Sequence, residues 1–386
     1  MLPAAAFYLV LAAGETVRWL AGMETQARGR TEPAMDGSAG VGELDLRGQL
    51  GLSTQGPDGA LALTWAPTLL IRRAAFGAPL GSGNASRQAG RLELQTRLAP
   101  ATRLASRMLV DWGLTDFSPL SGQVTTTPGS TLLPPQRFVR TLGLEMMLDL
   151  AHAFSPRTQL SVAAGMQRSG GLGHDAVSVI PIQVGPQATA SLVWAADRLN
   201  SITLSASGSE SRFSIGRTSV LSNVLAGWTL RAFQHLVCDA STGLTVVHSF
   251  GQDASSTGIY GAGAVGAAWD LPIAPARALR TSLRFRLMPG VDPFTAQAIQ
   301  TVRTEGDAEL REGRLRLGMT AVQGHVVGGA SAGADEVRLE TRASFPAAHG
   351  FDLYAGMSAA WTNQLPFAGW QGQALVGLRW AGRGSF

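Results

Sequence analysis

The sequence predicts an all-β fold, a single transmembrane antiparallel β-barrel of about 18 strands, and three features predict it. Apolar and polar residues alternate with a period of two along most of the 386-residue chain. The connections between these segments are alternately short and long, and tryptophans recur near the segment ends. Charged residues make up only 15% of the chain, below the roughly 25% of a typical soluble domain.

Residues 91–98, with the sequence RLELQTRL, show the alternation most clearly. Because successive side chains of a strand point to opposite sides, Arg91, Glu93 and Arg97 share one face and leucines dominate the other. A soluble sheet would need a second layer over its apolar face, and no amphipathic helical pattern in the sequence supplies one. A closed barrel in lipid satisfies both faces, apolar outside and polar inside, and leaves no unpaired sheet edge.

The period-two segments predict eighteen strands, and an even number returns both termini to the periplasm. Sixteen strands are the alternative, because the first segment and the segments 259–270 and 294–303 have the weakest pattern. The predicted strands are 17–28, 43–54, 60–73, 90–98, 102–112, 137–150, 158–168, 187–194, 201–208, 220–232, 235–248, 259–270, 278–287, 294–303, 314–322, 335–345, 351–361 and 370–380.

The connections predict which end of the barrel faces the outside of the cell. Short turns such as 55–59 and 99–101 alternate with longer segments rich in Gly, Ser, Pro and Thr. Outer-membrane barrels have short periplasmic turns and longer extracellular loops, so we place the longer segments outside. The predicted long loops are 74–89, 113–136, 170–186, 208–219 and 322–334.

The apolar run at residues 2–13 is shorter than the roughly 20 residues that a membrane-spanning helix needs. Its length is that of a signal-peptide core, and the small residues Ala12, Ala13 and Gly14 follow it. We therefore predict a signal peptide at residues 1–14 and the barrel at residues 15–386.

Tryptophans near the strand ends predict two aromatic girdles, one at each membrane interface. The long-loop ends carry Trp112, Trp361 and Trp370, and the short-turn ends carry Trp194, Trp269 and Trp380. The whole pattern resembles the porin-like β-barrels of Gram-negative outer membranes. The terminal Phe386 resembles their sorting signal, which implies outer-membrane lipid as the surroundings and the barrel-assembly machinery as a partner.

The polar face of the strands predicts the residues that line the lumen. They are Arg91, Glu93, Arg97, Arg103, Arg107, Asp111, Arg280, Arg284, Arg286, Arg314, Arg316, Glu336, Arg338, Glu340 and Arg342. Most of these charges fit a lattice of cross-strand ion pairs that stiffens the wall. On strand 278–287, however, Arg280, Arg284 and Arg286 point inward with no inward acid on that strand and few on its neighbours. An anion-attracting stripe is the alternative for these three residues.

No motif in the sequence predicts catalysis, a metal ion or a cofactor. Residues 261–266 fit G-x-G-x-x-G and residues 329–333 fit G-x-S-x-G, but neither is followed by the helix that such sites need. Asp116, Asp253 and His325 are loop residues that an outer-membrane hydrolase could use, although nothing in the sequence selects them. The net charge of +4 gives no sign of nucleic-acid binding.

An eighteen-stranded barrel is wider than its interior side chains can fill, so it holds a channel or a plug. We expect no plug domain, because few residues precede the first strand, and a folded-in loop such as 113–136 could narrow the lumen. In length, strand number and absence of a plug, the chain resembles eighteen-stranded barrels of polysaccharide-secretion systems. This resemblance implies an exit channel for an acidic or neutral polysaccharide and a periplasmic polysaccharide-export protein as partner. A general small-solute porin, an outer-membrane enzyme and an adhesion barrel are the alternatives.

Overall fold

The computed structural model describes residues 17–34, 37–74, 83–117, 138–251, 255–329, 331–347, 350–364 and 368–385. These residues form one sheet of eighteen antiparallel strands. The first strand pairs with the last, so the sheet closes into a barrel. The predicted all-β barrel is therefore confirmed with eighteen strands, and the alternative of sixteen is wrong.

The strands follow one another around the barrel in chain order, and each pairs with its sequence neighbours. They are β1 (Val17–Ala34), β2 (Gly37–Gln55), β3 (Gly59–Ala74), β4 (Gly83–Ala99), β5 (Thr102–Asp116), β6 (Phe138–Ser155), β7 (Thr158–Ser169), β8 (Gln183–Ala195), β9 (Asn200–Phe213), β10 (Arg217–Ala232), β11 (Leu236–Gly251), β12 (Ser255–Ala274), β13 (Arg277–Val291), β14 (Ala298–Glu312), β15 (Leu315–Gly328), β16 (Asp335–Pro346), β17 (Phe351–Thr362) and β18 (Gly369–Ser385). A short helix, α1 (His174–Val179), lies between β7 and β8. Among the described residues, no helix is both long and apolar enough to cross a membrane.

The pairing register separates the two faces of the wall. Met23, Leu283 and Met357 belong to the outer face, where large apolar side chains are more than half exposed. The opposite face is the interior, because its side chains reach strands that are not neighbours in the sheet. Arg30 of β1, for example, lies 3.4 Å (Nη2–Oδ2) from Asp116 at the end of β5.

The strand predicted at 294–303 differs most from the structure, where β14 runs from Ala298 to Glu312. Its outward positions include small residues such as Gly306 and Ala308, which give little apolar contrast and hide the period-two signal. Because β14 extends so far, Arg314 lies in the exposed turn between β14 and β15. The prediction that Arg314 lines the lumen is therefore wrong.

Two predicted long loops are largely strand. β9 and β10 are joined by residues 214–216 alone, although a loop was predicted at 208–219. β15 likewise continues to Gly328, well into the predicted loop 322–334. Both segments are rich in Gly, Ser or other small residues, yet their backbone N–H and C=O groups still pair with the adjacent strand.

The turn between β8 and β9 shows how a short connection is stabilised. The Asp197 carboxylate accepts hydrogen bonds from the Asn200 side chain and from the backbone N–H groups of Leu199 and Asn200. These bonds, that of the Asn200 side chain first, lower the pKa of the Asp197 carboxyl below its usual range. The turn therefore satisfies polar groups that the strands leave unpaired at their ends.

All six tryptophans assigned to the girdles lie on the outer face, near strand ends. Trp361 and Trp370 are direct cross-strand partners at the end of the barrel that carries the long loops. Trp380 is the cross-strand partner of Phe351 at the opposite end. Register also places Trp19, Trp65 and Trp228 on this outer face. The amphipathic indole rings thus point to the surroundings of the barrel rather than to its interior.

An arginine at position 283 should impair assembly of the barrel. Leu283 is 61% exposed near the middle of the outer face of β13, and arginine near the bilayer midplane costs about 2–4 kcal/mol. We expect Leu283→Arg to reduce the heat-modifiable protein in outer membranes, measured by comparing unboiled and boiled samples on gels. The control Ser282→Arg, one residue away on the interior face beside Asp307, should assemble normally. Equal assembly of the two variants would contradict the assignment of faces.

Candidate functional site

The interior wall carries every charged residue assigned to the lumen except Arg314. Register places on this face Arg91, Glu93 and Arg97 of β4, Arg103, Arg107 and Asp111 of β5, Arg280, Arg284 and Arg286 of β13, Arg316 of β15, and Glu336, Arg338, Glu340 and Arg342 of β16. They form two blocks on different parts of the circumference, since β4 and β5 are far from β13–β16 in the strand order.

In the first block, arginines and acids alternate along and across the strands. The ion pairs are Arg87–Asp111, Arg91–Glu93 and Arg107–Glu145. All six side chains keep between a quarter and a half of their surface exposed, so each pair by itself contributes little to stability. Together they hold long side chains against the wall and leave alternating charge along the lumen.

The arginines of β13 are not an isolated cationic stripe. Arg284 Nη2 lies 3.2 Å from Asp239 Oδ1, and Arg286 Nη2 lies 3.6 Å from Glu305 Oε2. Arg280 stands between Asp270 and Glu309 in the register. The expectation that neighbouring strands offer few acids is wrong, because the longer β14 presents Glu305, Asp307 and Glu309 to the interior.

Strands β12 to β16 line an open cavity of about 510 Å³. Its charged lining consists of Arg280, Asp307, Glu309, Arg316 and Arg342. Both signs of charge are present, and Asp307 also accepts hydrogen bonds from Ser282 and Thr320. A small polar solute of either charge could therefore bind in this part of the lumen.

A tyrosine beside this cavity bridges the seam where the barrel closes. Tyr354 of β17 donates a hydrogen bond to Glu24 Oε1 of β1 at 2.5 Å, across the intervening β18. The residue between them is Gly377, where a Cβ atom would lie 2.3 Å from the Tyr354 ring. Arg342 stacks over the same ring, with its Cζ 4.1 Å from the centroid. Sequence alternation showed these residues facing inward but not that they meet.

A second cluster of charges, on β1 and β2, is buried. Arg30 Nη2 lies 2.7 Å from Glu43 Oε1, and both side chains are at most 1% exposed. Arg28 Nη2 lies 2.5 Å from Asp45 Oδ2, and both of these side chains are buried as well. Buried charges persist only when they are paired, so this cluster locks β1 to β2 and, through Asp116, to β5. The sequence did not predict it as a site, because its pairs depend on register.

The interior face of β7, β8 and β9 differs from the rest of the wall, and we call it the uncharged sector. All residues of these three strands are described, and none of their interior positions carries a charged side chain. From the periplasmic side, the interior residues of β9 are Ser201, Thr203, Ser205, Ser207, Ser209 and Ser211, which we call the hydroxyl row, and then Phe213 at the extracellular end. The alternating Ser and Thr of SITLSASGSES is the sequence signal for this row, although by itself it indicates only a strand.

Residues 292–297, between β13 and β14, form a cap loop that folds against the inner wall at the extracellular mouth. Ala296 is fully buried, and its carbonyl oxygen accepts a hydrogen bond from Ser219 Oγ of β10 at 2.7 Å. Arg217 donates to the Thr295 carbonyl oxygen at 2.9 Å. The Asp292 carboxylate accepts bonds from backbone N–H groups of its own loop and from Ser331 Oγ of the next mouth loop.

Phe294 at the tip of the cap loop joins opposite sides of the barrel. On one side it packs against the buried cluster of Phe117, Val139 and Ile180, which also includes residues of α1. On the other side it packs against Ile299 and Val326 of β14 and β15. Since β6 and β14 lie far apart around the sheet, this contact crosses the mouth of the lumen.

The constriction predicted from loop 113–136 lies mostly outside the described residues. Among the described residues, the cap loop narrows the mouth, and Phe117 packs in the cluster that Phe294 contacts. Asp116 points into the barrel beside Arg30, whereas His325 lies on the outer face and contacts Asp335. These two residues therefore do not meet, and Asp253 is outside the described part of the chain. No group of three or more potential metal ligands occurs among the described residues.

Comparison with known proteins supplies a family and a fold. The model of the EpsX exopolysaccharide export family matches residues 9–378, and no curated protein sequence matches the chain. The crystal structure of Acinetobacter baumannii OccAB4 is similar over 95% of this chain and 98% of that one, at 9% identity and a TM-score of 0.50. Pseudomonas aeruginosa OpdK, solved with vanillate, covers 95% and 99% at 12% identity and a TM-score of 0.45. At such identities the similarity concerns the fold alone.

Removal of the Phe294 ring should widen the mouth. Truncation of a buried phenylalanine costs about 3–5 kcal/mol, so loss of this half-buried ring should loosen the cap loop without unfolding the barrel. We expect Phe294→Ala to raise single-channel conductance in planar lipid bilayers. Phe285→Ala, on the outer face of β13, is the matched control and should leave conductance unchanged. Equal conductance of wild type and Phe294→Ala would show that the cap loop does not restrict the path.

Replacement of Arg280, Arg284 and Arg286 by glutamine should make the channel prefer cations. The acids that face these arginines would lose their partners, and fixed charges along an aqueous path concentrate counter-ions. We expect the reversal potential in a salt gradient to shift toward cations, more at low salt because salt screens the effect. The reverse control, Glu305→Gln with Glu309→Gln, should shift it toward anions. Unchanged reversal potentials in both variants would place this wall outside the ion path.

Proposed function

The chain belongs to the EpsX exopolysaccharide export family, and on that premise we propose that this outer-membrane channel is the exit for a secreted polysaccharide. The observation that carries the proposal is the combination of a polar interior and a small cap at the extracellular mouth. The cap loop is attached at both ends to strands and is held by a few hydrogen bonds and by the apolar contacts of Phe294 and Ala296. Such a closure can be displaced without breaking the closed sheet.

The chemistry of the interior suits a polymer of sugars. Barrels of 16–18 strands leave an aqueous channel. This one offers serine, threonine and glutamine on one part of the wall and paired charges on other parts. Sugar hydroxyl groups both donate and accept hydrogen bonds, so they can exchange water for any of these side chains. The wall therefore supports passage of a hydrated polymer along its whole length.

Membership in an export family also supports a partner on the periplasmic side. A polymer made inside the cell must be delivered to the short-turn end of the barrel, and we propose a periplasmic polysaccharide-export protein for this step. The barrel itself must first cross the inner membrane. The predicted signal peptide at residues 1–14 is therefore part of the proposal.

A general small-solute porin is the second candidate function. The cavity of about 510 Å³ with charges of both signs favours it, because small charged solutes bind well where arginines and acids lie close together. The two functions differ in what the cell loses without the protein, since an exporter is needed for polymer outside the cell and a porin for uptake from the medium.

Deletion of the gene in its native host should separate the two functions. We expect the deletion strain to lose extracellular polysaccharide and to retain polymer in the periplasm, measured by sugar analysis of culture medium and periplasmic extract. Complementation with the wild-type gene should restore secretion. Complementation with Leu283→Arg, which we expect not to assemble, is the negative control.

Uptake of a small chromogenic β-lactam by the same strains reports on porin activity. We expect the uptake rate of the deletion strain to equal that of the parent. Normal secretion combined with slower uptake would overturn the export proposal and favour the porin.

A further inference from the structure

The uncharged sector continues sideways into β10 and β11 as a band of four side chains at one height. Thr189, Ser207, Asn223 and Thr245 are successive cross-strand partners on β8, β9, β10 and β11. All four lie on the interior face, and all four carry a hydroxyl or amide group. Neighbouring strands are about 4.8 Å apart, so the band is a continuous polar surface rather than a set of isolated groups.

Two members of this band have polar atoms without partners. Asn223 Oδ1 and Thr245 Oγ1 are buried and make no hydrogen bond within the described part of the chain. Thr245 is 1% exposed. An unpaired buried polar group costs free energy, so each of these two atoms would gain from a hydrogen-bond partner. The band therefore retains hydrogen-bonding capacity that a ligand can use.

We infer that this uncharged surface is a binding track for the hydroxyl groups of a neutral glycan chain, an inference that rests on the proposed export function. Its centre is the band Thr189–Ser207–Asn223–Thr245, and the hydroxyl row extends it along the barrel. Hydroxyl and amide side chains donate and accept hydrogen bonds, as sugar hydroxyl groups do. Neutral groups also bind without the desolvation cost of a charge.

The geometry of the track suits a sliding polymer. Interior residues of one strand repeat about every 6.7 Å, since each residue advances 3.3–3.4 Å and alternate residues face inward. A chain that moves along the hydroxyl row meets the same kind of group at each step. Transport requires many sites of similar, modest strength, because tight binding at one place would stop the cargo.

The extracellular end of the track lies beneath the cap loop. Ser211 and Ser219 are 4% and 1% exposed, and Ser219 bonds to the carbonyl oxygen of Ala296. Val247, two residues beyond Thr245 on β11, packs in the same cluster as Ala296. A glycan that follows the track outward therefore replaces contacts of the cap loop, so that the cargo itself opens the mouth.

The experiment measures glycan binding by the purified, refolded full-length barrel. The probe is a linear dextran oligosaccharide with a fluorescent label at its reducing end, and the readout is fluorescence anisotropy. The detergent is an amine oxide, because sugar-based detergents would compete for the track. The test variant combines Thr189→Val, Ser205→Ala and Ser207→Ala, which remove three hydroxyl groups and almost no volume.

The control variant removes hydroxyl groups from the outer face of the neighbouring strands. It combines Ser222→Ala of β10 with Thr242→Val of β11, which register places on the lipid side. Heat-modifiability on gels confirms that both variants are folded. Loss of three hydrogen bonds should weaken dextran binding by a factor of about ten or more, and the control should bind as the wild type does. Binding should also be nearly independent of salt, because the track is neutral.

Three results would overturn the track: no dextran binding by the wild type, equal binding by the test variant, or equal weakening in the control. If salt weakened dextran binding equally in the wild type and the test variant, the binding would belong to the charged parts of the wall. That result would overturn the track as well. None of these results bears on the export proposal, which depends on the polysaccharide that the deletion strain secretes. Conversely, normal secretion by that strain would overturn export whatever the purified barrel binds.

Discussion

The structure depends on one constraint: in the lipid core, every backbone N–H and C=O group must find its partner within the protein. An open sheet leaves two edges unpaired, so the first strand must meet the last. β1 and β18 do so over a long register, from Arg18 opposite Ser385 to Arg30 opposite Gln373. The contact of Tyr354 with Glu24 across Gly377 reinforces the same seam.

Closure divides the side chains into two environments and thereby decides the chemistry of the lumen. Outward positions face the surroundings and are mostly apolar, whereas inward positions are free to carry charge. The interior uses this freedom unevenly. The interior faces of β13 to β16 and of β1 to β6 bear paired charges. The interior faces of β7 to β9 bear hydroxyl and amide groups and no charged side chain. Paired charges hold their side chains in place, while the neutral wall leaves hydrogen-bonding groups available to a passing molecule.

The mouth follows a different principle from the wall. Wall strands are held by continuous ladders of backbone hydrogen bonds, and their disruption would expose polar groups to lipid. The cap loop is held by side-chain contacts, chiefly Phe294 and the bonds of Ser219 and Ser331, in a region where water can replace them. A loop of this kind can move while the barrel stays intact.

The sequence by itself determined the fold class. It favoured eighteen strands over sixteen, and it indicated the face on which most side chains lie. These features follow from a local rule, because alternation along one strand shows its two faces without knowledge of its neighbours. The rule failed where its signal was weak, as at β14. Because the outward residues of β14 are small, the alternation did not show how far the strand extends, and Arg314 was wrongly predicted to lie on the wall.

Only the tertiary structure decided which inward residues meet. The acids opposite Arg280, Arg284 and Arg286, the buried pair of Arg30 with Glu43, and the four-strand band through Ser207 all depend on register. The cap loop depends on contacts between strands far apart in the chain, which no period in the sequence records. The physical reason is that alternation belongs to single strands, whereas pairing and loop position belong to residues brought together by closure of the barrel.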